Sequence, residues 1–370
     1  MARVLVLNCG SSSLKYRLYD GATVRGTGLV ERIGEGGDAP PEHRTALRDV
    51  LAGLDLTGLT VVGHRVVHGG LRFTEPTLVD DRVFAAITDL VPLAPLHNPA
   101  NLAGIAVARE LLPDVPQVVV FDTAFHRTLP EAAATYAIDR SVAEEHRIRR
   151  YGFHGTSHAY VSRRTAELLG RPYDEVNSIC LHLGNGASAS AVAGGRSVAT
   201  SMGMSPLEGL VMGTRSGDID PAIVFHLHRA GMPVEEIDRL LNQHSGLYGL
   251  CGANDMREVL RRRSAGDPAA GLAFDVYCRR IREYVGAYYA LLGRLDAITF
   301  TAGVGEHAAP VRAAALAGLE RLGITVDPER NAATGDRVVS PAGAPVTVCV
   351  VATDEEREIA RQALAVVGRG

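Results

Sequence analysis

The stretch Val4-Leu5-Val6-Leu7-Asn8-Cys9-Gly10-Ser11-Ser12-Ser13-Leu14-Lys15-Tyr16 decides how this chain is read. It opens as a short apolar run of strand type, then passes through a glycine and three serines into a second strand. Glycine at such a turn lets backbone N–H groups approach an anion with no side chain in the way. Lys15 is the chain's single lysine, the other 37 of 38 basic residues being arginine. Arginine is a wide planar fork, whereas lysine is a compact point charge on a thin stem. Beside this turn, a point charge suits a phosphate chain crossing the backbone. The plain alternative is a surface lysine left by biased codon usage.

The pattern recurs about half a chain later. Leu181-His182-Leu183-Gly184 is followed by Asn185-Gly186-Ala187-Ser188 and a second strand, 174 residues beyond Leu7-Asn8-Cys9-Gly10. Val119-Val120-Phe121-Asp122 and Ile298-Thr299-Phe300-Thr301 read as a second matched pair at a similar offset. A duplication of this kind implies two similar lobes facing each other, each offering a glycine-bearing hairpin to a shared cleft. Gly303-Val304-Gly305 reads as a third strand-terminal glycine turn. There is no GxxxxGK[ST], which excludes a P-loop nucleotide site.

Around these segments, β-branched runs predict strands at 3–8, 14–19, 60–67, 117–121, 177–183, 187–193, 297–301 and 346–351. Helical spacing predicts helices at 43–52, 82–90, 99–111, 157–169, 233–241, 269–292, 310–321 and 354–366. Their alternation is that of a mixed α/β architecture. With 370 residues and 46% hydrophobic content, the chain can build two domains with sizeable cores. A net charge of −4 gives no electrostatic footprint for nucleic acid or an anionic membrane. No apolar run approaches the length that a bilayer needs, and the chain enters a strand at once rather than through a signal peptide. Cys9, Cys180, Cys251, Cys278 and Cys349 are scattered without CxxC spacing, which points to a reducing cytoplasm.

The remaining motifs are rich in arginine and histidine. They are Gly63-His64-Arg65-Val66-Val67-His68-Gly69-Gly70, Ala94-Pro95-Leu96-His97-Asn98-Pro99, Phe153-His154-Gly155-Thr156-Ser157-His158 and Met212-Gly213-Thr214-Arg215-Ser216-Gly217-Asp218. An arginine in a glycine-flanked turn is poised to grip a phosphate or carboxylate, or else to satisfy loop carbonyls. His154 and His158, four apart, suggest a metal pair on one helical face, but no HExxH and no third ligand support zinc. A hydrogen-bonding role toward phosphate suits them better. Asp122 ends an apolar strand, where α/β proteins place functional groups, though a buried capping aspartate has the same look. Glu355 reads as an acid at a helix N-terminus or as a magnesium ligand. Gly303-x-Gly305-x-x-Ala308 with Asp327 further on imitates a dinucleotide fingerprint, but too little chain follows to build the usual nucleotide half.

Taken together these motifs resemble the acetate and propionate kinase family of the actin-like ATPase superfamily, from Val4 to about Ala360. The combination of NCGSSSLKY, GHRVVHGG, LAPLHNP, FDTAFH, YGFHGTSH, HLGNG and MGTRSGDIDP carries the resemblance. It implies an α/β fold of two duplicated actin-like, ribonuclease H-like lobes (βββαβαβα) around a central cleft. Residues 1–122 with 355–370 would form the acyl and phosphate side, and 123–354 the nucleotide side. By position, Asn8 and Glu355 would be the magnesium-site residues, with manganese as the alternative metal, and Lys15 a phosphate contact. His182, Leu183, Gly184, Asn185 and Gly186 would meet the nucleotide phosphates. Asp255, Met256 and Arg257, with Gly303, Val304, Gly305, Glu306 and His307, would meet adenosine. Arg65 and Arg215 would grip the substrate carboxylate and the phosphoryl group, with His154 stabilising that group and Asp122 as the catalytic aspartate. Val67, Leu96, Phe153 and Pro206 would line a pocket for the acyl methyl. The resemblance further implies acetate, acetyl phosphate, ATP and ADP as reactants, a cytoplasmic homodimer, and no nucleic-acid or membrane partner. His307 stands where the family commonly has asparagine, and the chain is short between Gly34 and Leu59. A sugar or polyol kinase, a partner-gated ATPase and a dehydrogenase are the competing readings.

Overall fold

A computed structural model describes residues 2–10, 12–34, 40–95 and 97–368; Ser11 and Leu96 lie outside the described residues. By contacts the chain divides into two units. The first comprises Met1–Arg127, Gly155–Ser157 and Asp354–Gly370, and the second Thr128–His154 and His158–Thr353.

The first unit contains strands β1 (Arg3–Cys9), β2 (Leu14–Asp20), β3 (Thr23–Val30), β4 (Leu59–Val66), β5 (Thr77–Leu78) and β6 (Gln117–Phe121). They form one sheet in the order β3-β2-β1-β4-β6-β5. The second unit contains β7 (Asn177–Leu183), β8 (Ala187–Ala193), β9 (Arg196–Thr200), β10 (Ala297–Thr301), β11 (Arg337–Val338) and β12 (Thr347–Val350), ordered β9-β8-β7-β10-β12-β11. In each sheet the first three strands form an antiparallel meander, two parallel strands follow, and a two-residue antiparallel strand closes the edge. The two sheets match strand for strand, so the duplication is present in the fold.

The first matched sequence pair falls on equivalent strands, β1 and β7. The second does not. β6 lies two strands from β1 and β10 lies next to β7, so the partner of β10 is β4 and that of β6 is β12. Buried parallel strands all read as short Val/Ile/Phe runs, so a four-residue likeness between two of them carries no register.

Period-two alternation sends the residues of β1 to opposite faces. Leu5, Leu7 and Cys9 pack with Ala46, Leu47, Val107 and Ala108 from helices His43–Ala52 and Asn98–Leu111. Val4 and Val6 pack with Val61, Val118, Val120, Ile359, Ala360 and Ala363 under the helix Glu355–Val367. That helix lies close on β4, because a Cβ at Gly63 would stand 2.9 Å from Ile359 Cγ2.

Several expectations change. β3 and β9 were not foreseen, nor were the helices Ala222–Arg229, Gly246–Cys251 and Met256–Ser264. The third glycine turn is instead the start of a short helix, Ala302–His307, entered through Ala302 at φ 62°. The helix expected over 310–321 ends at Leu316, and a 3-10 turn takes Glu320–Leu322.

Candidate active site

The carboxyl ends of β1, β4 and β6 gather the charges of the first unit on one face. Asn8 pairs with Lys15 across β1 and β2. Residues directly opposite in an antiparallel pair point the same way, as do alternate residues of one strand. Arg65 lies two residues beyond Gly63 on this face, and its neighbour on β6 is Val120, two residues before Asp122. The helix Glu355–Val367 covers the same face and brings Glu355 and Glu356 to it at its first turn.

The ion pairs follow from that convergence. Arg65 Nε lies 3.0 and 3.2 Å from the two Asp122 oxygens, and Nη2 lies 2.6 Å from Oδ2. Asp122 is 1% exposed. Glu355 lies 3.9 Å from Arg65 Nε. Burial alone would push the Arg65 guanidinium down, but Asp122 and Glu355 outweigh it and hold it above its ordinary value. Lys15 Nζ sits 2.5 Å from Glu356, which also lies 3.9 Å from Arg17. Asp354 accepts from Arg17 at 2.7 Å and from the Tyr19 hydroxyl at 3.1 Å. In this structure Lys15 is thus a half-exposed cation already engaged by a buried carboxylate.

Magnesium takes oxygen ligands, commonly one or two carboxylates with waters and substrate phosphates. Burial pushes the Glu355 carboxyl up, Arg65 opposes the shift, and Asp122 and Glu356 add to it. A divalent cation would relieve that repulsion, and the donor set of Glu355 carboxylate and Asn8 amide oxygen fits a hard ion. Among the described residues no group of three His, Cys, Asp or Glu side chains forms a metal cage. The spacing of His154 and His158 does not put the two on one helical face. His154 precedes its helix, Gly155–Leu168, in the left-handed conformation at φ 55°.

In the second unit, histidine and arginine donors collect beside the β7–β8 turn. Gly184 N–H donates to the Gly186 carbonyl at 3.0 Å and closes that turn. The His154 and His182 rings stack at 4.2 Å. Buried Ser188 Oγ lies 2.9 Å from His154 Nδ1 and 2.8 Å from His158 Nε2. A Cβ at Gly186 would lie 3.6 Å from both His154 Nε2 and Arg215 Nη1, so this glycine marks where the two meet. Among the described residues Arg215 donates to neutral atoms, the Pro206 carbonyl at 3.2 Å and Met212 Sδ at 3.7 Å. Burial pushes its guanidinium below the ordinary value, and among the described residues no carboxylate pairs with it to oppose the shift.

Beyond this turn opens a cavity of ≈ 420 Å³. Gly184, Asn185, Asp255, Met256, Arg257, Gly303, Val304 and His307 line it. Leu247, Asn254, Leu260 and Ala308 line it too, and no motif points to them. His182, Leu183, Gly186, Gly305 and Glu306 do not line it. Leu183 is buried in the sheet, and the Glu306 carboxylate accepts the Thr353 N–H at 3.2 Å. Arg257 folds back on Asp255, with Nη2 2.5 Å from Oδ2. Asp327, the acid of the imitated dinucleotide fingerprint, caps the helix Pro328–Ala332 through the Glu329 and Arg330 N–H groups. It is a structural residue.

Of the expected acyl-pocket residues, Phe153 is buried and Pro206 belongs to the second unit, while Leu96 lies outside the described residues. Val67 belongs to the first unit, where its N–H donates to Asn101 Oδ1 at 3.1 Å. Sequence reading missed Glu356, Arg17 and Ser188. Arg17 was recoverable, being two residues from Lys15 on the same strand face, but the partnership of Ser188 with two histidines needed coordinates.

The profile of the acetokinase family matches residues 41–361. An acetate kinase of Streptomyces avermitilis is 62% identical over 395 residues, spanning 99% of this chain and 98% of that one. The crystal structure of Porphyromonas gingivalis acetate kinase superposes with a TM-score of 0.95 at 41% identity, covering 99% of this chain and all of that chain, 100%. A propionate kinase from Francisella tularensis superposes at 0.94 with 40% identity, covering 99% and 100%. The chain belongs to the acetokinase family.

Proposed function

We propose that this protein is an acetate kinase, transferring the γ-phosphoryl group of ATP reversibly to acetate to give acetyl phosphate and ADP. The observation that carries the reading is the state of Asp122. Its carboxylate is buried and held by both arms of the Arg65 fork, a poor state for a general base. An acetate carboxylate is already an anion at neutral pH and needs no base. A sugar or polyol hydroxyl does need one, so the pairing favours the carboxylate acceptor. The family neighbours, named acetate and propionate kinases, support the same class.

The barrier is then the approach of one anion to another, and the chemistry needs donors that neutralise the equatorial oxygens of a loose, in-line transition state. Arg215 and His154 take that role toward the transferring phosphoryl group. Arg65, fixed by Asp122, meets the acetate carboxylate and the phosphoryl group, while Lys15 exchanges Glu356 for a phosphate oxygen. The β7–β8 turn receives the nucleotide phosphates and the cavity beyond it the adenosine, with His307 on its wall. Val67, Phe153 and Pro206, together with Leu96, bound the acyl methyl. Glu355 and Asn8 would hold magnesium, which supplies charge neutralisation of the phosphate chain when bound. The lobes divide the work as acyl side (1–122 with 355–370) and nucleotide side (123–354). The enzyme works as a cytoplasmic homodimer; among the described residues no helix is long and apolar enough to cross a membrane.

Hydroxylamine trapping tests the reaction class. With ATP, magnesium and acetate the product should yield a hydroxamate, which only an acyl phosphate gives. ADP formation with a polyol and none with acetate would overturn the reading.

A further inference from the structure

Residues 201–221, between β9 and the helix Ala222–Arg229, carry neither helix nor strand. Long stretches without regular structure are uncommon inside compact domains unless they serve a function. This one is largely interior, with Leu210 and Met212 fully buried. Its shape must therefore come from particular hydrogen bonds.

Asp218 supplies the decisive ones. Its N–H donates to the Gly209 carbonyl at 2.9 Å, and its Oδ1 accepts the Gly209 N–H at 2.8 Å. Residues 209–218 are thereby closed into a ring. Its Oδ2 accepts the Tyr284 hydroxyl at 2.7 Å and lies 3.2 Å from Arg280 Nη1, which also donates to the Asp218 carbonyl at 3.2 Å. Tyr284 and Arg280 belong to the 25-residue helix Pro268–Leu292, so the ring is fastened to a long element. Gly217, at φ 68°, lets the ring close, since a Cβ there would stand 2.5 Å from the Leu210 carbonyl.

Arg215 lies inside this ring. Its carbonyl accepts the Met212 N–H at 3.2 Å, and its side chain reaches out to the Pro206 carbonyl. The carboxylate in the motif thus holds backbone rather than the guanidinium. A carboxylate on Arg215 itself would compete with the phosphoryl group; one acting on the ring fixes the arginine and leaves its charge unopposed.

We propose that Asp218, held by Tyr284 and Arg280, is a positioning residue that fixes Arg215 for phosphoryl transfer. The inference rests on the role given above to Arg215. It predicts that loosening the ring lowers turnover far more than it weakens nucleotide binding, because no ring residue lines the ≈ 420 Å³ cavity, which the ring reaches through backbone bonds of Gly213 to Asn185 and of Met212 to Leu247.

The test uses the full-length protein and the hydroxamate assay on D218N, Y284F, R215A and the double variant R215A/D218N, with thermal unfolding recorded for each. D218N should lower kcat by roughly 10²-fold, the scale of a misplacement near 1 Å. Y284F, which removes one hydrogen bond to a carboxylate, should lower it roughly 10-fold. KM for ATP should move by less than about 3-fold in both, and D218N should cost little more than about 3-fold in the R215A background because the two act as one unit. A purely structural role would give equal losses in both backgrounds, and that result would overturn the proposal. So would near-normal kcat in D218N and Y284F beside a crippled R215A. If D218N fails to fold, Y284F decides by the same criteria. Near-normal turnover in R215A would bring down the functional reading itself, and the clamp with it, a result distinct from loss of the clamp alone.

Discussion

Arg65 and Arg215 are both largely buried, yet the protein treats their charges in opposite ways. Arg65 is bound in two places by Asp122 and approached by Glu355, so its cation is stabilised by its own fold. Arg215 touches a carbonyl and a thioether, with no carboxylate partner among the described residues. Burying an uncompensated cation costs stability, and a fold sustains such a cost where an anion is to arrive. The difference separates two tasks. Arg65 is a fixed part of an ion-pair web that locks Asp122, while Arg215, in the role proposed for it, is a receptor held open.

Removing the receptor should have the largest effect. Arg215→Ala is expected to lower kcat by ~10³, the scale for losing a cation that stabilises transferring phosphoryl charge. ATP binding, measured by calorimetry, should stay within a few-fold. Removing the lock should cost less. Asp122→Asn leaves Arg65 with a weaker partner and should reduce kcat by roughly 10²-fold, since the guanidinium loses its fixed orientation. If Asp122 were a general base, the loss would vanish for an acceptor that needs no deprotonation and persist only for hydroxyl acceptors. Glu355→Gln should raise the magnesium concentration for half-maximal rate by at least ~10-fold, the loss typical of disturbing a metal site. An unchanged magnesium requirement would remove Glu355 from that role.

The last effect concerns stability alone. His64 is buried against Gln117, with Nε2 2.8 Å from Oε1, and burial pushes its imidazole down to about 4. Its folded-state value lies below the ordinary value, so its contribution is complete above pH 6.5 and fades as acid protonates the unfolded chain. Between pH 6.5 and about 4 the protein should lose stability steadily with falling pH through this group. Thermal unfolding of wild type and His64→Gln across that range should show the variant with the shallower slope.

The core strands were legible because each is a short apolar run between turn residues. β6, β7, β8 and β10 fall where the sequence puts them, at 117–121, 177–183, 187–193 and 297–301. β3 escaped because Thr23–Val30 is an exposed edge with glycine at 26 and 28, so pairing with β2 rather than composition makes it a strand. The helix Met256–Ser264 escaped because its sequence, MREVLRRRS, offers little apolar periodicity and only Met256 and Val259 are buried. At the site, motif residues such as Arg65, Asp122, His154 and Arg215 could be picked out, but not their charge partners. The Lys15–Glu356 pair spans nearly the whole chain, and only the closing helix on the β1–β4 face brings its members together. Asp218 carries no signal beyond its place after Arg215-Ser216-Gly217, because a role exerted through backbone bonds leaves no pattern in side-chain types.

The most direct test of the open receptor is to replace its charge from solution. Turnover of Arg215→Ala with acetate, ATP and magnesium should rise several-fold on adding millimolar guanidinium, while wild type does not respond. A variant that turns over at near-normal rate without the additive would contradict the assignment of an unopposed cation to the transferring group.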